Sequence, residues 1–486
     1  MASQLHFLLV PFMSQSHLIP FTHLAKLLAS HGASAVVILT PLNAARYNMV
    51  IDQANASNLK IQFHIIPFPC LQAGLPEGCE NLDTLPSLEY LPNFYAASNM
   101  LKEPLEEWLS QLEAKPSCII CDVCLPWTSS IASKFNIPRV VFHGISCFTL
   151  FCSHNIALSK VRESVTSMTK PFVVLDLPDR IEFTKAQLPD ALKQDSKGWS
   201  DVLDQFKKAE LSAQGVLVNS FEELEMLYVK GYEKVVKKVW CVGPLSLLDK
   251  LFLNKFGIDG DDNASIHDDS ECFNFLNSRK PCSVIYVCFG SMSRITTSLL
   301  KELALGLEAS NHAFIWVIGK KVCSEELEEW LAEENFEERN KGKGVLIRGW
   351  APQVKILSHP AIGGFLTHCG WNSTLEAVAA GVPMITWPMF AEQFFNEKLI
   401  VQVLNIGVRV GIEVGVGNME TEQVLVKKED VKKAIDKIMG QDVEGEQRRK
   451  RARELKEMTH KAVEEGGSSS SNCKLFLQHV MGQIHN

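Results

Sequence analysis

The chain has 486 residues, 46% hydrophobic and 21% charged, with a formal net charge of −8 at pH 7 and a pI near 6.0. That length supports two cores rather than one, and the acidic balance excludes a general binder of nucleic acid or anionic membranes, since a negative field attracts neither. No apolar run reaches the roughly 18 residues of a membrane span.

The first residues, MASQLHFLLVPF, lack the basic start and small-residue cleavage site of an export signal, so they read as a strand. With 14 cysteines and no export signal, the expectation is reduced thiols, a cytoplasmic location and bare sequons at Asn55, Asn263 and Asn372. Leu5 to Val10 reads as a buried parallel strand, followed by a loop to Ile19 and a helix from Pro20 to His31 that ends at Gly32. A strand at 34–39, a helical stretch at 43–54 and a strand at 60–66 continue an alternation that predicts a doubly wound, parallel α/β domain.

Ligands of such folds gather at the carboxyl ends of the strands. That rule singles out His17, in the loop after the first strand, and Asp122, which ends the strand from Cys118 to Cys121 and precedes Pro126-Trp127 at the next helix. A neutral imidazole with an ordinary pKa of about 6.5 takes a hydroxyl proton, and a carboxylate on its other nitrogen fixes the tautomer. Cys118, Cys121 and Cys124 look like a metal ladder, but strand alternation turns Cys121 away from Cys118, so no metal is expected there.

A helix at 127–135, a strand at 139–142 and an apolar helix at 144–151 follow. Phe12, Met13, Pro126, Trp127 and Phe148 are either core residues or the lining of a cleft for an apolar ligand. Residues 163–213 carry no clear pattern, and strands return at 215–219 and 239–244. From Ser246 to Asp269 the composition becomes acidic and Gly-containing, which reads as an exposed linker; its spacing lacks the alternating pattern of a calcium loop.

A second α/β pattern starts with a strand at 283–289, and Gly290-Ser291 after it puts Ser291 where a phosphate would lie. A helix at 297–310, a strand at 314–318, an acidic helix at 325–339 and a strand at 344–348 lead into Trp350–Gln393, the most informative stretch. There a strand, 362–366, runs through Thr367-His368-Cys369-Gly370-Trp371-Asn372 into a helix, 373–380. The start of a helix attracts anions, because its leading N–H groups and its dipole present positive charge. His368, Asn372 and Ser373 add donors, Gly370 permits close approach, and Glu376 is an acceptor within reach of ribose hydroxyls. Trp350 offers a flat face for a nucleobase and Gln353 an amide, while Glu392-Gln393, after a strand at 384–387, pairs an acceptor with an amide for a sugar's hydroxyls. Charged helices at 430–438 and 444–462, a Gly-Ser break at 466–471 and a helix at 474–480 close the chain.

The stretch from Trp350 to Gln393, Trp first and Gln last, resembles the signature box of plant family 1 UDP-glycosyltransferases. The resemblance covers nearly the whole chain and implies a GT-B fold, two Rossmann-like doubly wound parallel-sheet domains facing across a cleft. Its expected parts are an acceptor-binding domain at 1–245, a linker at 246–269, a UDP-sugar-binding domain at 270–465 and a C-terminal helix, 466–486, packing back on the first domain.

The same resemblance implies that Trp350 stacks on uracil, Ala351 binds it through the backbone, and Gln353 and Glu376 hold the ribose. Ser291, His368, Asn372 and Ser373 then take the phosphates, and Trp371, Glu392 and Gln393 the sugar. The contexts around His17 and Asp122 resemble the family's catalytic base and its partner, except that Ser16 stands where many relatives have Gly. The terminal Gln resembles that of members using UDP-glucose.

The implied activity is inverting glucosyl transfer from UDP-glucose to a small hydrophobic acceptor by a monomer, with no metal and no bound cofactor. Thr40–Arg46 and Gly74–Asn81 resemble the plant subgroup acting on flavonoids, triterpenoid sapogenins and steroidal alcohols. Another UDP-sugar, such as UDP-galactose or UDP-glucuronate, and a non-catalytic sugar-nucleotide sensor are the alternatives. A dinucleotide oxidoreductase is disfavoured, because no G-x-G-x-x-G follows the first strand.

Overall fold

Runs of Val, Ile and Leu that are apolar on both faces need a sheet covered by helices on both sides, which is where parallel strands are found. The computed structural model describes residues 4–159, 165, 167–189, 192–193, 197–256, 268–290, 295–319, 322–414 and 426–484. Its first strands are β1 (His6–Val10), β2 (Ser34–Leu39), β3 (Ile61–Ile65), β4 (Cys118–Asp122) and β5 (Arg139–His143). A short antiparallel pair, β6 (Phe172–Val173) and β7 (Glu182–Phe183), comes before β8 (Val216–Val218) and β9 (Val239–Cys241). The second half carries β10 (Val284–Cys288), β11 (Ala313–Ile318), β12 (Gly344–Arg348), β13 (Ile362–Thr367), β14 (Met384–Thr386) and β15 (Gly407–Arg409).

One sheet has the order β3-β2-β1-β4-β5-β8-β9 and the other β12-β11-β10-β13-β14-β15, and every pairing in both is parallel. The winding reverses between β1 and β4 in the first sheet and between β10 and β13 in the second. Loops leaving those strands diverge and open a crevice at the carboxyl ends. His17 follows β1 and Asp122 ends β4; Gly290 follows β10 and His368 follows β13.

The chain divides into two compact units, Met1–Cys147 with Ser196–Asp262 and Lys461–Asn486, and Phe148–Asp195 with Asn263–His460. Residues 148–195 therefore group with the second unit, although 1–245 was expected to form one domain. Within the expected linker, Leu245–Phe256 is a helix. Its apolar run LSLLDKLFL buries Leu245 and Leu247, and its Asp249 Oδ1 lies 2.9 Å from Lys26 Nζ on the helix Gln15–Ser30. The acidic stretch 259–267 lies outside the described residues.

The last helix, Ser468–Ile484, starts at the serines read as a break and packs within the first unit. Its Phe476 ring lies 5.7 Å from Phe7 and 5.4 Å from Trp240, and Ser469 Oγ donates to the Gly243 carbonyl at 2.5 Å.

Candidate active site

In the first unit the helix after β1 starts at Gln15 and not at Pro20. Ser14, in extended conformation, caps it, and its carbonyl accepts from the His17 and Leu18 N–H groups at 2.9 and 2.8 Å. Pro20 is tolerated inside the helix at the cost of one backbone bond, since it cannot donate to the Ser16 carbonyl. His17 is thus a first-turn residue rather than a loop residue, fixed by helical geometry.

His17 Nδ1 lies 2.7 Å from Asp122 Oδ2, with the imidazole 34% exposed and the carboxylate 3%. Asp122 Oδ1 accepts from the Cys124 N–H at 3.0 Å. Burial works to raise the Asp122 pKa, but the attraction and hydrogen bond of His17, helped by Cys124, outweigh it and hold the carboxyl below its ordinary value.

Phe12, Met13 and Phe148 were candidates for a ligand-lined cleft, and the structure makes them core: 2%, 1% and 0% exposed. Phe12 is enclosed by the rings of His17, Phe94 and Tyr95 at 5.6, 5.5 and 5.3 Å, which leaves it no open face. Pro126 and Trp127 are half-buried and keep accessible surface.

In the second unit, β13 leads through Cys369, at φ 66°, to Gly370, the N-cap of the helix Trp371–Ala380, which ends at Gly381 in left-handed conformation. The helix starts two residues earlier than its sequence suggests, so Trp371, Asn372 and Ser373 form its first turn. The His368 ring is held between two glycines. A Cβ at Gly290 would lie 2.8 Å from its Cε1, and one at Gly370 2.4 Å from its Nε2. Burial draws the imidazole pKa down to about 4, against a hydrogen bond at the Cys288 backbone, so at neutral pH it is an uncharged donor or acceptor.

Beside the same helix, Gln353 Nε2 donates to Ser373 Oγ at 2.9 Å and to Glu376 Oε2 at 2.7 Å, and its Oε1 accepts from Tyr286 Oη at 3.4 Å. Burial pushes the Glu376 carboxyl up to about 7, opposed by the Gln353 amide. Trp350 is 48% exposed, a ring open to stacking, and Ala351 is buried behind it. Glu392 caps the helix Gln393–Lys398. Gln393 Oε1 accepts from the Met389 and Phe390 N–H groups at 2.8 and 3.1 Å, an arrangement that commits its carbonyl to the loop. Ser291 lies outside the described residues.

Sequence reasoning missed three neighbours of the site. Tyr286, stacked on Phe365 at 5.1 Å, steadies Gln353. Asn396, fully buried, donates to the Cys369 carbonyl at 2.9 Å and so fixes the turn before the helix. Its signal was available: Gln393, Asn396 and Glu397 are polar at helical spacing beside Phe394, Phe395 and the apolar run that starts at Leu399. Tyr95, next to Phe12, carried no sequence signal.

Among the described residues no cluster of His, Cys, Asp and Glu could hold a metal, and no helix is long and apolar enough to cross a membrane.

Residues 100–460 match the family described as UDP-glucoronosyl and UDP-glucosyl transferase. UDP-glycosyltransferase 73C3 of Arabidopsis thaliana is 48% identical over 482 residues, 98% of this chain and 96% of its own. UDP-glycosyltransferase 73C12 of Barbarea vulgaris is 47% identical over 481 residues, again 98% and 96%. Among solved structures, Glycyrrhiza uralensis UGT73P12 complexed with glycyrrhetinic acid 3-O-monoglucuronide superposes with a TM-score of 0.90 at 38% identity, covering 99% of this chain and 96% of that one. Arabidopsis thaliana UGT89C1 complexed with quercetin gives 0.74 at 27% identity, covering 99% and 100%. With two parallel-sheet α/β units of GT-B class and these relatives along its full length, the chain belongs to the plant family 1 UDP-glycosyltransferases.

Proposed function

We propose that the enzyme transfers glucose from UDP-glucose to a hydroxyl of a small lipophilic plant metabolite, with inversion, giving a β-O-glucoside. The observation that carries this reading is the 2.7 Å contact between His17 Nδ1 and Asp122 Oδ2. With Nδ1 donating its proton to the carboxylate, Nε2 carries the lone pair and takes the proton of the acceptor hydroxyl. The acceptor oxygen bonds to the anomeric carbon as the bond to UDP breaks. The proton then rests on His17, beside an ionised Asp122, and the electron pair leaves on the diphosphate.

The start of the helix Trp371–Ala380, with Asn372, Ser373 and neutral His368, suits that diphosphate. Trp350 suits the uracil, Gln353 and Glu376 the ribose, and Glu392 with the Gln393 amide the glucose hydroxyls. This reading uses no metal and no second subunit, so chelation with EDTA and dilution should leave turnover per chain unchanged. Relatives solved with glycyrrhetinic acid 3-O-monoglucuronide and with quercetin support a triterpenoid or flavonoid acceptor.

The test is a panel of such aglycones with UDP-glucose, UDP-galactose and UDP-glucuronate, run on the wild type, His17→Ala and Asp122→Asn. UDP-glucose should be the best donor. Each substitution should cost roughly 10² to 10⁴ in rate while calorimetry shows unchanged UDP binding. Turnover retained by His17→Ala refutes the base.

A further inference from the structure

We infer that Asn396 and Glu397 are positioning residues of the donor site, Asn396 for the turn that meets the diphosphate and Glu397 for the helix that meets the sugar, an inference that rests on the donor reading above. Both are fully buried on the helix Gln393–Lys398, where an amide and a carboxyl persist only if their hydrogen bonds are made. Asn396 Nδ2 donates to the Cys369 carbonyl at 2.9 Å, and Thr149 Oγ1, on the helix Cys147–Leu158 of the same unit, donates to Asn396 Oδ1 at 3.3 Å. A carbonyl only accepts, so the amide nitrogen has to face Cys369 and the oxygen is left for the hydroxyl. Thr386 Oγ1 on β14 donates to Glu397 Oε2 at 2.7 Å, and Arg409 Nε on β15 donates to Glu397 Oε1 at 2.7 Å. Thr386 and Arg409 are register partners, so the carboxylate bridges the two strands.

The peptide that Asn396 holds joins Cys369, at φ 66°, to Gly370, the cap of the helix Trp371–Ala380. Left-handed backbone is unfavourable for a residue with a Cβ, so this turn needs a hold from outside. A trans peptide points its N–H opposite its C=O, so the bond to Asn396 also aims the Gly370 N–H away from the helix Gln393–Lys398. The direction of the N–H groups at that helix start decides where a phosphate sits. Glu397 lies one turn beyond Gln393 on its helix, so tying it to β14 and β15 fixes the roll of that helix and with it the direction of Gln393.

The experiment compares uridine, which has no phosphate, with UDP and UDP-glucose on each variant. Calorimetry without acceptor measures UDP and UDP-glucose directly and uridine by displacement, and the binding stoichiometry counts the folded sites. Asn396→Ala and Asn396→Leu should weaken UDP and UDP-glucose alike by about tenfold and leave uridine unchanged. Glu397→Ala should weaken UDP-glucose about fivefold with UDP and uridine unchanged. Should a truncation fail to fold, Thr149→Val and Glu397→Gln carry the same two patterns at roughly two- to threefold.

A purely structural loss lowers the number of sites or moves all three ligands together. Folded variants that change the three affinities in equal proportion, or not at all, therefore overturn the inference. Asn372→Ala and Gln393→Ala, direct contacts in the donor reading, run alongside. If they show the phosphate and sugar patterns and the Asn396 and Glu397 variants do not, only the positioning role fails; if they too are flat, the donor reading has failed and the inference with it.

Discussion

Replacing Glu376 by Gln should stabilise the protein at neutral pH while weakening its hold on UDP. Burial lifts this carboxyl from 4.5 to about 7, while its Oε2 accepts from Gln353 at 2.7 Å. A folded-state pKa above the unfolded value means that the folded chain keeps the proton longer. The stability tied to it is therefore complete below about pH 4.5 and is lost as pH rises to 7. At about 1.36 kcal/mol per pH unit, that difference amounts to about 3 kcal/mol by neutral pH. Part of the residue stays accessible, so about 3 kcal/mol is a ceiling. Glutamine keeps the shape and an oxygen for Gln353 but never ionises. Urea unfolding followed by tryptophan fluorescence, with Trp316 and Trp387 buried in the second unit as reporters, should show no gain near pH 4.5 and the full gain near pH 7. The amide offers the ribose one acceptor where a carboxylate offers two, so UDP affinity should fall about tenfold, roughly 1.4 kcal/mol. A stability difference that is the same at both pH values refutes the argument.

Gly370→Ala places a methyl 2.4 Å from His368 Nε2, so the ring must move; about 1–3 kcal/mol of destabilisation and weaker UDP binding are expected, read by thermal unfolding and calorimetry. Trp350→Ala removes an exposed stacking face and should cost about 1–3 kcal/mol of binding for UDP and UMP alike, whereas Trp350→Phe recovers part of it. Neutral His368, with a pKa near 4, should gain a proton when a diphosphate arrives, so UDP-glucose should bind more tightly as pH falls from about 7 to about 5. Calorimetry in two buffers of different ionisation enthalpy measures that proton directly; binding without uptake, or uptake that survives His368→Asn, contradicts it.

Much of the second unit's candidate site was legible because it lies in one stretch, from Trp350 to Gln393, where strand, turn and helix succeed each other in sequence. The strand-to-helix turn at His368 was readable from hydrophobic runs alone, and its left-handed Cys369 and flanking glycines then follow from the space the imidazole needs. The meeting of His17 with Asp122 was legible for a different reason: the parallel-sheet rule points to the ends of β1 and β4 although 105 positions separate the residues. What failed was whatever depends on three-dimensional enclosure. Phe12 has the same chemistry in a cleft or in a core, and only the rings of Phe94 and Tyr95, which arrive from a distant helix, decide for the core. Pro20 suggested a helix start because proline usually occurs there, yet the helix begins at Gln15, where the Ser14 carbonyl accepts from the His17 and Leu18 N–H groups, and Pro20 inside it forgoes a single backbone bond. Cys124 was weighed as a metal ligand beside Cys118 and Cys121; its backbone N–H instead donates to the carboxylate two residues before it, a partner that strand periodicity does not reveal because it arises in the turn that follows the strand.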